Sequence, residues 1–152
     1  MWRLIVLLFV VAGPVLPAFA QTCGVSATPL SFTPYNAFSG NASTGNATVT
    51  VSCSGLLVVG AVYEVRLEGG QSGNINSRAM LQASSGNQLN YHVYTQSGQV
   101  WGDGVQGSTI NSIFLLGVLS RSRNHPITGT IPANQQVNSG GYADAVTMTV
   151  IW

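Results

Sequence analysis

Apolar residues in this chain recur at every second position rather than at helical spacing, and that period limits the fold more than any other feature. Ala47, Val49, Val51 and Cys53 alternate with Thr48, Thr50 and Ser52. Tyr63, Val65 and Leu67 alternate with Glu64, Arg66 and Glu68, and Leu89, Tyr91 and Val93 with Asn90, His92 and Tyr94. The cleanest run comes last, with Val146, Met148, Val150 and Trp152 set against Thr147, Thr149 and Ile151. Successive side chains of an extended chain point to opposite faces, so each run predicts a half-buried strand. Gly- and Asn-rich turns separate the runs at Ser39-Gly40-Asn41, Gly69-Gly70, Ser85-Gly86-Asn87, Gly102-Asp103-Gly104 and Ser139-Gly140-Gly141. Short strands at this spacing, without an amphipathic helix between them, indicate an antiparallel β-sandwich or barrel. No repeat or internal domain boundary interrupts the pattern.

The first twenty residues read differently. Met1-Trp2-Arg3 gives a positive start, Leu4 to Ala12 an apolar core, Gly13-Pro14 a breaker and Ala18-Phe19-Ala20 a small-x-small cleavage pattern. Residues 1–20 are therefore expected to be a secretory signal and residues 21–152 a single mature domain. Pro14 and Pro17 interrupt an apolar stretch barely long enough to span about 30 Å of hydrocarbon, which argues against a membrane anchor, and no later run reaches spanning length. In the mature segment Arg66, Arg78, Arg121 and Arg123 balance Glu64, Glu68, Asp103 and Asp144, and the whole chain has no Lys. A zero net charge excludes a nucleic-acid binder that depends on phosphate neutralisation. With only 6% charged residues, Ser, Thr, Asn and Gln must solvate the surface, and little self-repulsion keeps copies apart.

In an exported chain the two cysteines, Cys23 and Cys53, are expected to form one disulfide. It would pin the start of the mature chain, where ends otherwise fray. Reactive chemistry is hard to assemble. No Ser lies in a Gly-x-Ser-x-Gly pattern, His92 falls on an outward strand face, and His125 precedes Pro126 in what reads as a loop. Glu64 and Glu68 look like solvent-facing strand charges rather than a glycosidase pair. No metal-ligand spacing occurs, Gly102-Asp103-Gly104 lacks the oxygen ligands of a calcium loop, and no cofactor is expected. Asn41-Ala42-Ser43 and Asn46-Ala47-Thr48 match the glycosylation pattern, which arises readily in so Asn- and Thr-rich a chain.

The ordered set of segments resembles the spore coat protein U domain family, which includes subunits of archaic chaperone-usher (Csu-type) pili. The resemblance runs from Cys23-Gly24-Val25-Ser26-Ala27, with Leu30 and Phe32, through Val51-Ser52-Cys53 and Arg78-Ala79-Met80. It continues in Leu89-Asn90-Tyr91-His92-Val93-Tyr94-Thr95, Trp101-Gly102-Asp103-Gly104 and Gly129-Thr130-Ile131-Pro132-Ala133-Asn134-Gln135, and closes with Gly141-Tyr142-Ala143-Asp144 and the last alternating run. Thr33, Thr128 and Thr130 depart from the residues common in the family at those places.

The resemblance implies an all-β, incomplete immunoglobulin-like sandwich in a non-enzymatic subunit, secreted through the periplasm to the cell surface as part of a pilus or coat for adhesion or biofilm. Its partners would be a periplasmic chaperone, an outer-membrane usher and neighbouring pilus subunits, with no stable membrane insertion. The missing strand leaves a groove that a donor β-strand fills. Val146, Met148, Val150 and Trp152 are the expected groove wall. Only Gln21 and Thr22 would precede Cys23 after cleavage, so the subunit is expected to receive a strand rather than donate one, as suits a tip or initiating subunit or a non-polymeric coat protein. Two other readings stand beside this one: a coat protein not assembled into fibres, and a small secreted carbohydrate-binding module or hydrolase using Tyr35, Tyr94 and Trp101 as a sugar platform. For Trp101, a turn cap is the plainer role.

Overall fold

The computed structural model describes residues 21–57, 60–115 and 118–152, so the expected signal at residues 1–20 lies outside the described residues. The strands are β1 (Thr22–Ala27), β2 (Ser43–Leu57), β3 (Ala61–Leu67), β4 (Arg78–Gln82), β5 (Gln88–Tyr94), β6 (Ile110–Phe114), β7 (Val118–Ile131), β8 (Tyr142–Ala143) and β9 (Met148–Ile151). They form a six-stranded sheet in the order β1-β2-β7-β5-β4-β8 and a three-stranded sheet in the order β6-β3-β9. All strand ladders are antiparallel, and the two sheets face each other as an immunoglobulin-like β-sandwich. Among the described residues, helical structure is confined to two short 3-10 turns, Gly70–Ser72 and Ile75–Ser77.

The long β2–β7 ladder, from Ser43↔Ile131 to Leu57↔Val118, is the spine. Its inward row of Ala47, Val49, Val51 and Cys53 meets Tyr63, Val65 and Leu67 of β3 across the core, all buried. Cys23 and Cys53 lie directly opposite in the β1–β2 ladder and are joined by the disulfide, with Cα atoms 4.0 Å apart. Trp101, fully buried, ties the sheets together: its backbone N–H donates to the Val93 carbonyl of β5 and its indole N–H to the Val65 carbonyl of β3. Burial of the ring with its one polar atom satisfied accounts for Trp101 without a surface role.

His125 belongs to strand β7 rather than to a loop, and the reason lies with Pro126 beside it. Thr48 and Thr28 engage each other through Thr28 N–H to Thr48 C=O (3.0 Å) and Thr48 N–H to Thr28 Oγ1 (2.9 Å). The backbone of Thr48 therefore points toward β1, and its cross-strand partner Pro126 sits at a non-hydrogen-bonded position. On the other side of β7, the β5 ladder reaches only to the pair Tyr94↔Thr128. A missing N–H thus breaks no ladder bond, and the proline is accommodated inside a long strand.

Two paired glycines make a window in the same ladder. Gly45 and Gly129 are cross-strand partners, and residues 30–32 pass over them. A Cβ on Gly129 would stand 2.7 Å from both Leu30 and Phe32, and one on Gly45 would collide with the Ser31 carbonyl. The chain leaving β1 thereby dips toward the interior, where Phe32 packs edge-on against Tyr91 at 5.9 Å.

Candidate functional site

Two sheet edges face each other without pairing. Among the described residues, no ladder joins β1 to β9. Thr28 N–H bonds to Thr48, so Thr22, Gly24 and Ser26 also turn their backbone groups toward β2, while Cys23, Val25 and Ala27 turn theirs outward. In β9 the bond from Glu68 N–H to Thr147 C=O sets the same alternation, so Thr149 and Ile151 bond β3 and the backbone groups of Met148 and Val150 face the gap. The gap is narrow at one end, where the Trp152 indole N–H donates to the Gln21 carbonyl at 3.3 Å.

At the other end it opens into a cavity of about 940 Å³. The floor comes from both sheets: Leu89, Tyr91 and Val93 of β5, Ile127 and Ile131 of β7, Leu67 of β3, with Met80 and Trp101. One wall is the stretch after β1, which contributes Leu30, Phe32, Tyr35 and Phe38; the other is Val137 to Met148. The cavity is therefore an apolar slot beside unpaired strand edges.

The four expected wall residues do not share one environment. Val146 and Met148 line the cavity; Val150 is half-buried against the core nearer the narrow end. Trp152 lies beyond the last strand residue, 53% exposed, because its indole is drawn to Gln21 at the closed end. The contribution of Leu30, Phe32 and Tyr35 was not visible in the alternation, since residues 28–33 form no regular strand. The inward row Leu89, Tyr91 and Val93 was visible as a strand, but nothing in its spacing says which side of it stays uncovered.

A polar network supports the open, cavity end of the floor. Arg78 has no exposed surface, and its guanidinium donates to four carbonyls: Glu68 (2.8 Å), Ile75 (3.2 Å), Leu67 (3.1 Å) and Trp101 (2.8 Å). Burial pulls its pKa below the ordinary arginine range, but a guanidinium remains charged. Asp144, on the cavity wall, accepts from the Tyr91 hydroxyl (2.7 Å) and from Gln71 N–H (2.9 Å). Burial, and then this bond to Asp144, push the Tyr91 phenol well above its usual range, so it stays a donor. Asp103 closes its turn by accepting from Val105 and Gln106 N–H, and those bonds hold its carboxyl below the usual range.

These groups build structure, and no nucleophile–base pair emerges among them. His125 bonds the Tyr63 hydroxyl (2.7 Å), while His92 is half-buried beside Tyr94. Among the described residues no group of three or more His, Cys, Asp or Glu could hold a metal ion, and no helix is long and apolar enough to cross a membrane. The sugar platform expected from Tyr35, Tyr94 and Trp101 does not form. Trp101 is interior, and the Tyr35 hydroxyl is held by Gln135 N–H (2.7 Å) on the cavity wall.

Comparison with known proteins follows the same lines. No curated protein matches the chain. Among solved structures, it resembles a chain of the CsuC–CsuE chaperone–tip adhesion subunit pre-assembly complex from archaic chaperone-usher Csu pili of Acinetobacter baumannii, at 24% identity and a TM-score of 0.62. That likeness covers 88% of this chain and 40% of the other, so this chain spans well under half of its neighbour's length. A chain of a chaperone–tip adhesin complex of CFA/I fimbriae is more distant, at 14% identity and a TM-score of 0.47 over 83% of this chain and 40% of that one. Residues 9–149 match the Spore Coat Protein U domain, and on that match, which takes in both cysteines and both walls of the cavity, the chain belongs to the spore coat protein U domain family.

Proposed function

We propose that this chain is a non-enzymatic, exported subunit of a chaperone-usher pilus or surface coat, and that the slot between β1 and β9 receives a β-strand from a periplasmic chaperone or a neighbouring subunit. The observation that carries this reading is the pairing of an apolar cavity of about 940 Å³ with two strand edges that have no partner among the described residues. An extended segment laid there would bond the outward groups of Met148 and Val150 while its alternate side chains filled the cavity. Full burial of an exposed apolar side chain contributes about 1.5–3 kcal/mol, so covering a half-exposed one contributes roughly half of that, and several in a row supply a strong drive. An edge left open is an aggregation hazard, which supplies the reason for a chaperone. Val146, Met148 and Val150 are the proposed contacts on the β9 side, with Trp152 at the closed end. Export by the segment at residues 1–20, passage through an outer-membrane usher, and a role in adhesion or biofilm belong to the same proposal; the family and the likeness to a Csu pilus complex support it.

Co-expression with candidate periplasmic chaperones tests it. A soluble one-to-one complex, with aggregation or degradation of the chain expressed alone, is the expected result. Cooperative, soluble folding of the isolated chain with no gain from any chaperone would overturn it and favour a stand-alone coat protein.

A further inference from the structure

A second cleft adjoins the slot, with Thr28 and Ile127 lining both, and opens on the outer face of the large sheet. Along β2, Thr44, Asn46, Thr48, Thr50 and Ser52 point outward beside Ser122, Asn124 and Thr128 of β7, and no charged residue interrupts these rows. Cross-strand bonds follow the register: Thr50 to Asn124 (2.9 Å), Ser52 with Ser122 (2.7 Å) and Thr128 to Asn46 (3.1 Å). Toward one end the face sinks into a cleft of about 600 Å³, lined by Asn46, Thr48, Tyr94, Gln96, Pro126 and Thr128 among others.

The strand endings account for the cleft. β5 stops at Tyr94 and the chain turns back, with Thr95 N–H bonded to Gln99 C=O and Gly98 N–H to Thr95 C=O, both at 2.9 Å. β7 continues past that point, so its residues 126 and 127 have β2 on one side and an open step on the other. Pro126 offers no N–H to be stranded there. The 95–99 turn forms the opposite wall.

The lining narrows the choice of ligand. It contains no Asp, Glu, Lys or Arg, so neither an anion nor a cation finds a countercharge. Seven of its eleven residues carry a hydroxyl or an amide, which suits a ligand with hydrogen-bonding groups along an apolar body better than a bare acyl chain. Asn46 spends its Oδ1 on Thr128. Among the described residues, its Nδ2, the Thr48 hydroxyl, the Gln96 amide and the Tyr94 hydroxyl bond no other protein group and remain for a ligand rich in both donors and acceptors. Tyr94 adds an aromatic body with a polar tip. The volume lies within the roughly 300–1,000 Å³ of small-ligand sites.

We infer that this cleft binds a neutral oligosaccharide, with Tyr94 as the ring platform and Asn46, Thr48 and Gln96 as hydrogen-bonding partners. Thr28 and Ile127 line both cavities, but none of the four proposed ligand contacts lines the slot.

Binding of the full exported chain, alone or held by a chaperone, to an array of neutral gluco-, galacto- and manno-configured oligosaccharides and of acidic glycans tests the inference. Retention of neutral glycans is expected, with Tyr94→Ala and Gln96→Ala each weakening the best one about tenfold or more. Asn111→Ala, on the small sheet, should leave binding unchanged. Unfolding midpoints report whether the variants remain folded, and Gln96→Ala, in the turn, serves where Tyr94→Ala does not fold. Binding of acidic glycans only, binding indifferent to both substitutions, or no binding of any neutral glycan would overturn it.

Discussion

Val65 and Val150 are the same residue, directly opposite each other in adjacent strands, with side chains on the same face of the small sheet. Val65 is completely buried, and Val150 is only half so. β3, which carries Val65, is paired on both sides, by β6 and β9, and lies under the spine of the large sheet. β9, which carries Val150, is paired on one side only among the described residues. Equal sequence pattern therefore yields unequal burial. The difference is set by what lies beyond the last strand: a finished core on one side, a slot on the other.

The finished side should be the sensitive one. Arg78→Ala leaves four buried carbonyls without their donor, and a loss of several kcal/mol is expected, at roughly 1–3 kcal/mol for each buried group left unsatisfied. In denaturant unfolding of the chaperone-free or chaperone-bound subunit, Arg78→Lys should restore little of it, because one ammonium cannot span carbonyls contributed by four residues. Recovery of wild-type stability by Lys would show that the network acts through charge alone.

Next in size is the disulfide, which closes a loop with a sequence separation of 30. Reduction, or replacement of Cys23 and Cys53 by Ala together, should lower stability by about 3–4 kcal/mol on the chain-entropy estimate. The loss should concentrate on β1, one of the two edges of the slot, and hydrogen exchange should find β1 amides released before those of β3. Uniform release across both strands would contradict this placement.

The valine pair itself supplies the most direct comparison. Val65→Ala should cost about 2–3 kcal/mol through lost burial and a cavity, and Val150→Ala under about 1 kcal/mol in the uncomplexed chain. Strand acceptance adds a second expectation: with a donor seated, the Val150→Ala penalty should rise toward that of Val65→Ala. Equal penalties in the free chain would mean that the slot is already closed in solution.

The smallest effect is a pH dependence at the other end of the core. Burial, aided by Arg123, holds the His125 imidazole below its usual range of about 6.5. The folded chain therefore favours neutral His125, bonded to Tyr63. Its contribution is complete above the unfolded value and declines as pH falls below about 6.5, where the unfolded chain takes up the proton first. His125→Gln should flatten stability measured between about pH 7 and 5, and an unchanged slope would assign the dependence to other groups.

Much of this architecture was legible in the residues. Alternation located β2, β3, β5 and β9, and the cysteines fell into register because both occupy inward positions of neighbouring strands. His125 was misread because a proline usually ends a strand, and only the non-hydrogen-bonded pairing with Thr48 excuses it here. The burial of Arg78 was not legible, since nothing local says that four carbonyls converge on it from residues up to 23 positions away. Trp101 was ambiguous between a cap and a platform until its neighbours on both sheets were known.

Local chemistry, in short range, set which segments extend and where they turn, because backbone sterics and period-two patterning act between near neighbours. Which edge stays open, which of two equivalent valines is covered, and how a charged side chain is satisfied in the interior were decided by the tertiary structure. Those outcomes depend on contacts between residues far apart in the chain, and an alternating sequence records the face a side chain prefers but not whether anything arrives to cover it.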